Sequence, residues 1–237
     1  MKLLKKTVRT SLIIVICVIL IMGGVLFADG YMLYNEAKKT TGVSTNIDAK
    51  RSLPNYSQID ELPQYFLDAV VAVEDHGFYE HGPVDFSSIA RALFVNLKDM
   101  SPREGGSTIT QQVAKNLYFT QEKSIKRKIA EALMAIKLEN LYTKDEILEL
   151  YINTNYYGSN YTGIKDASQG YFGKDPGGLN LYEATLLAGI PNAPSVYALN
   201  SNPELAAQRQ QQVLAQMVEY GYLSQEEADE VSNHRNI

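Results

Sequence analysis

Cysteine is almost missing from the 237 residues: the single one, Cys17, falls inside an uncharged stretch, which rules out a disulfide scaffold or thiolate metal site for the remainder. Tryptophan is absent and there are only three histidines. Two of them, His76 and His81, stand five apart, off the i, i+4 spacing that puts two zinc ligands on one helix face, so no zinc site is expected. There is no Asp-x-Asp pair and no Gly-x-Gly-x-x-Gly run, which argues against a nucleotide-sugar donor. Excess positive charge is lacking too. The net charge is −5, and four of the cations sit in the first ten residues, so nucleic acid is not a partner of the more acidic remainder. Alternating strand patterns are scarce, and no internal repeat or low-complexity tract appears.

What is present begins with a membrane signal. Lys2, Lys5, Lys6 and Arg9 precede an uncharged run from Thr10 to Ala28, 19 residues or roughly 28 Å as a helix, enough to cross a hydrocarbon core. A cleaved leader would have a shorter apolar region, and Leu26 stands where a small residue should precede Ala28. Residues 1–9 are therefore expected in the cytoplasm, 10–28 as a single-pass anchor in the cell membrane, 29–55 as an unpatterned juxtamembrane stalk, and 56–237 as one extracellular domain.

The domain reads as all-α. Pro63 suits a first turn, and Phe66, Ala69, Val70 and Val73 give helical spacing that ends near Glu74. Phe86, Ile89, Ala90, Leu93, Phe94, Leu97 and Met100 form a full amphipathic stripe, facing either the core or the outer leaflet, with Arg91 off it. Ser101 to Gly106 is turn chemistry and reads as a mobile loop. Helices are predicted from about Thr108 to Leu117 and Ser124 to Leu141, and after Thr143, which has Glu146 as capping-box partner. Asp166, Asn180 and Asn202-Pro203 mark three further starts.

Two separated carboxylates stand out. On a helical wheel Glu131 lies between Leu138 and Ala135, beside apolar surface, with Arg127 one turn earlier; taken alone, that is an ordinary i, i+4 ion pair. Glu74-Asp75 is the other cluster, and Gly105-Gly106-Ser107-Thr108-Ile109-Thr110-Gln111-Gln112 lies between them. The blocks Val73 to His81, Gly105 to Asn116, Arg127 to Glu131, Ile147 to Gly158 and Glu183 to Pro194 occur in the order, and with the residues, that resemble the peptidoglycan glycosyltransferases of glycosyltransferase family 51. The likeness covers about Leu62 to Tyr197.

That resemblance implies a lysozyme-like helical fold that polymerises lipid II into β-1,4-linked glycan strands and releases undecaprenyl pyrophosphate. Glu74 matches the family's general base, and Glu131 a second carboxylate. Arg91, Lys115, Lys123, Arg127 and Lys128 match the cations around the pyrophosphate groove; Asp75, Ser107, Gln111, Gln112 and Asn116 complete the substrate-binding set. The implied partners are lipid II, the growing lipid-linked strand, the membrane and a separate transpeptidase, since no Ser-x-x-Lys with a matching Lys-Thr-Gly is present. No cofactor is required by the pattern; a divalent cation, Mg or Mn, is left open at Asp75, for which bracing its own loop together with His81 is the favoured role.

The chain also departs from the family pattern. Pro83 stands where His-x-Gly-x-Asp has glycine, which stiffens that loop; Gly77 replaces a common basic residue, and no proline follows near Leu199. Two rival readings stay open: a lysozyme-like peptidoglycan hydrolase, which would have no pyrophosphate to neutralise, and an inactive membrane-anchored wall-binding or scaffold protein.

Overall fold

The computed structural model describes residues 2–99, 105–120 and 122–233. Among these the chain is helical, with a single isolated antiparallel bridge, Tyr156 to Thr162, as its only β pairing. The all-α expectation holds.

Helix α1 runs Lys2–Thr41 without a break, and its Thr10–Thr40 portion is long and apolar enough to span a membrane. The segment expected as an unpatterned stalk is instead folded. Its first part continues α1, and α2 (Val43–Arg51) follows with Val43 and Ile47 buried in the domain core. Polar composition hid this, because only two residues of α2 are needed to dock it and the rest face water.

Helices α3 (Gln64–Glu74) and α5 (Ile109–Tyr118) start and stop within a residue or two of the sequence expectation, and α7 (Lys144–Thr154) starts where expected. The reason is local. Thr108 and Thr143 each form a reciprocal capping box, with Gln111 and Glu146 respectively. Helix α6 (Ile125–Glu139) is capped by Ser124, whose hydroxyl accepts from the Arg127 amide at 3.2 Å.

Asn180 caps α9 (Leu181–Gly189), the short α10 spans Pro194–Tyr197, and α11 (Pro203–Glu219) opens on Pro203; α12 is Gln225–Asn233. Asp166 is not a helix start. Helix α8 (Ile164–Phe172) begins two residues earlier, capped by Gly163 at φ 87°, where a Cβ would sit 3.0 Å from the Asn153 carbonyl oxygen. Only glycine fits there, and a search for Asp or Asn caps passes over it.

Helix α4 (Phe86–Asp99) forms as expected, but its stripe is not a core face: Phe86 and Phe94 are 77% and 71% exposed. Met100, Ser101 to Glu104 of the expected mobile loop, and His234 lie outside the described residues.

Two groups of helices meet to make the domain. One packs α3 against α9 and α11; the other packs α5 against α6 and α7, with α1 lying along α6. Phe66, Phe78, Ile109, Met134, Leu138, Ile147 and Tyr151 are fully buried between them. Each such side chain contributes about 1.5–3 kcal/mol when removed from water.

Inside this core sits a polar brace. Glu149 on α7 is 6% exposed and accepts from the Tyr56 hydroxyl at 2.8 Å and the Ile59 amide at 3.0 Å, with the Arg51 guanidinium 3.7 Å away. It ties the end of α2 to the centre of the fold. Glu149→Ala leaves two donors and a cation without their acceptor, and is expected to cost about 3 kcal/mol, read as a lower urea midpoint in detergent.

Candidate active site

The cleft opens where the two helix groups face each other. Glu74, the last residue of α3, stands on one wall; Gln111, Gln112 and Lys115 come from α5, and Arg127, Lys128 and Glu131 from α6. Gly105 and Ser107 close one end and Pro191 and Asn192, just after α9, the other, enclosing about 310 Å³. The two carboxylates therefore line one cavity, together with three cations.

Glu131 is 1% exposed, and its two oxygens meet Arg127 Nε at 2.8 Å and Lys128 Nζ at 3.0 Å. Lys128 Nζ also donates to Ser107 Oγ at 2.5 Å, and Arg127 Nη1 donates to the Thr120 carbonyl at 3.0 Å. The Glu131 carboxylate thus fixes both cations on the first turn of α6. That turn carries Lys126, Arg127 and Lys128 and no acid, an arrangement the helix dipole opposes by about 0.3–1 kcal/mol per charge. An anion bound there relieves the conflict. Lys115 adds a further cation, and burial lowers its pKa from the usual lysine value while the Glu131 charge works against that fall.

Glu74 is held differently. Gln112 Nε2 donates to its Oε2 at 2.9 Å, whereas Oε1 is buried without a hydrogen bond of good geometry, as is the nearby Tyr151 hydroxyl. Burial raises its pKa above the ordinary 4.5; the Gln112 bond, the Arg209 charge, Tyr151 and the Lys115 charge pull the other way without cancelling it. A carboxylate kept out of water and ionised against resistance is a stronger base than an exposed one.

Asp75 and His81 do not line the main cleft. Asp75 spends Oδ1 on His81 Nε2 at 2.5 Å and Oδ2 on the Ile109 amide at 2.9 Å, so it braces the Glu74 turn against the start of α5. Its oxygens are committed, and among the described residues no three His, Cys, Asp or Glu side chains gather to hold an ion. The donor set does not fit a divalent cation. Pro83 takes part in the same brace, its carbonyl accepting from Thr108 Oγ1 at 2.8 Å.

Three other residues of the expected set lie off the cleft. Asn116 donates to Asn155 Oδ1 at 2.8 Å, Arg91 sits on the exposed face of α4 within 3.3 Å of Ser88 Oγ, and Lys123 is exposed ahead of α6. Arg209 was missed. It lies on α11, more than a hundred residues along the chain from Glu74, and no local pattern pairs the two. Pro191 and Asn192 belong to a recognised block, yet nothing in their chemistry marked them as cleft lining.

A family model described as Transglycosylase matches residues 41–218. The chain belongs to the transglycosylase family. It is 40% identical over 219 residues to a Cupriavidus necator protein that carries a transglycosylase name, covering 92% of this chain and 94% of that one. It is also 46% identical over 178 residues to penicillin-binding protein 1A of Aquifex aeolicus, covering 75% of this chain and 24% of that protein. This chain thus spans about a quarter of the penicillin-binding relatives it matches. The crystal structure of Haemophilus influenzae penicillin-binding protein 1A aligns at a TM-score of 0.44 and 23% identity, over 75% of this chain and 17% of that one.

A raised carboxylate pKa has a stability consequence. The folded state holds the Glu74 proton more tightly than the unfolded chain, so the stability it contributes is complete below the unfolded pKa and is lost as pH rises through the folded one. Glu74→Gln keeps a neutral group of the same shape at every pH. Its melting temperature is expected to exceed wild type by about 2–4 °C at pH 8, and the gap to close below about pH 4.

Proposed function

We propose that this chain is an inverting peptidoglycan glycosyltransferase that polymerises lipid II into β-1,4-linked glycan strands and releases undecaprenyl pyrophosphate. The observation that carries the reading is a single cleft with a buried, hydrogen-bonded carboxylate on one wall and a fixed cationic cluster on the other. An acceptor 4-hydroxyl is a weak nucleophile. Glu74 takes its proton as the oxygen attacks the anomeric carbon, and that carbon's bond to the lipid pyrophosphate breaks with its electrons going to the leaving oxygen. Attack opposite the leaving group converts an α-linked donor to a β link in one displacement.

Arg127, Lys128 and Lys115 meet the charge that grows on the departing pyrophosphate, and Glu131 holds the first two so that they need not reorganise. Ser107, Gln111 and Gln112 offer neutral partners to phosphate and sugar oxygens. Three cations at the leaving-group wall favour this over a lysozyme-like hydrolase, which releases no pyrophosphate.

The apolar α1 supports a membrane-anchored reading, with residues 10–28 across the bilayer, the basic N-terminus in the cytoplasm and the domain outside. Exposed Phe86 and Phe94 on α4 suit contact with the outer leaflet, from which a lipid substrate enters. Cross-links between strands would come from a separate transpeptidase.

The test uses the full chain in detergent with lipid II. Wild type is expected to make long strands, and Glu74→Gln to lose about 10²–10⁴ in rate while remaining folded; undiminished turnover by that variant overturns the base role. Short hydrolysed fragments in place of strands would favour the rival enzyme. The pH profile supplies a second check. Activity should rise with pH through the elevated Glu74 pKa, and Arg209→Met, which removes a charge that favours the carboxylate, should shift that ascending limb to higher pH.

A further inference from the structure

We propose that Gly30 makes the membrane anchor a positioning element of the cleft, by setting where α6 stands. The inference rests on the glycosyltransferase reading above and extends it to a residue of the anchor helix. Gly30 is buried on α1, beyond the span proposed to cross the bilayer. A Cβ added there would lie 2.6 Å from both Cβ and Cγ2 of Ile129 and 2.9 Å from the Lys126 carbonyl oxygen. Neither obstacle can move aside: one is the branch point of a β-branched side chain, the other backbone. Any side chain at position 30 therefore pushes α1 and α6 apart, which is how small residues govern close helix crossings.

The crossing lies behind the residues that matter for the cleft. Lys126 and Ile129, three apart, meet the anchor, whereas Arg127, Lys128 and Glu131 of the same two turns line the cavity. A shift of α6 must carry those cations with it and change where they stand relative to Glu74.

One turn further along α1 the contact loosens. Leu33, Tyr118, Phe119, Lys126 and Arg127 border a groove of about 150 Å³ there, so the anchor does not buttress α6 at that level as it does at Gly30. The tight contact is the one at position 30. Glycine in the middle of a helix is otherwise unfavourable by about 0.5–1 kcal/mol relative to alanine, so helix propensity gives no reason for it.

The experiment compares Gly30→Ala, Gly30→Leu and, as a control on the same helix, Gly24→Ala, each as the full chain in detergent with lipid II. Gly30→Ala should lower kcat/KM by about tenfold, most of it as a higher KM, since displaced cations hold the donor pyrophosphate less well. Membrane retention should stay at wild type, whereas the melting temperature should fall, because the clash with α6 outweighs the better helix propensity of alanine, and rates are therefore compared well below the transition. Gly30→Leu, with more to accommodate against the same two obstacles, should lose more than Gly30→Ala, whereas Gly24→Ala, whose added Cβ meets nothing within 4 Å, should keep wild-type kcat/KM.

Wild-type kinetics in Gly30→Ala, or an equal loss in Gly24→Ala, overturns the proposal and makes the anchor a tether only. A wild-type chain inactive on lipid II would instead remove the functional reading. The crossing is then judged by calorimetry with farnesyl pyrophosphate, where weaker binding in Gly30→Ala and unchanged binding in Gly24→Ala are expected, and equal affinities overturn it.

Discussion

Everything in the cleft turns on the buried carboxylate of Glu131 and the two cations it holds. Three positive residues at the N-terminal turn of a helix repel one another and oppose the helix dipole, so without an internal acid they would splay into water. Glu131, at 1% exposure, draws Arg127 and Lys128 to within 2.8 and 3.0 Å and leaves their outer faces toward the cavity. The pair of bonds is not justified as a stabiliser, since burying such charges recovers little net free energy. Its effect is geometric: the cluster is already assembled before an anion arrives, which is what electrostatic assistance to a leaving group requires.

The opposite wall is organised by a separate network. Asp75 joins the Glu74 turn to the first turn of α5 and to His81, while Gln112 from the same α5 reaches back to Glu74. One helix therefore positions the carboxylate through Gln112 and contributes Lys115 to the cation set. The distance between Glu74 and the cations is set by how α5 packs between α6 and α7, and, on the proposal for Gly30, by how closely α1 holds α6 from behind. Strain or cavity formation in that helix packing reaches the site without touching a cleft residue.

Much of the fold was legible because helix ends here are written in short-range chemistry. Thr108 with Gln111, Thr143 with Glu146 and Asn180 with Glu183 are complete capping boxes within four residues. Where the signal was not of that kind, the reading failed: α8 begins on a glycine with positive φ, and α2 docks through only Val43 and Ile47. The stripe on α4 shows the opposite limit. Its periodicity was real, yet periodicity reports which residues share a face and not what covers that face, and Phe86 and Phe94 remain exposed.

The site divides along the same line. Glu74, Gln111, Gln112, Lys115, Arg127, Lys128 and Glu131 sit in three compact sequence blocks, and residue type together with order was enough to single them out. Asn116, Arg91 and Lys123 belong to or adjoin those blocks but point elsewhere, because a helix turns each successive side chain by 100° and only some can face the cavity. The sequence alone determined the membrane-length apolar run, the helical class and the chemical inventory of the cleft, all of which depend on composition and local spacing. Only the tertiary structure decided that Glu74 and Glu131 share one cavity, that Arg209 acts on the Glu74 carboxylate and that Gly30 meets Ile129. Those relations join residues tens to more than a hundred positions apart, and they are fixed by the packing of helices against one another, which no local pattern encodes.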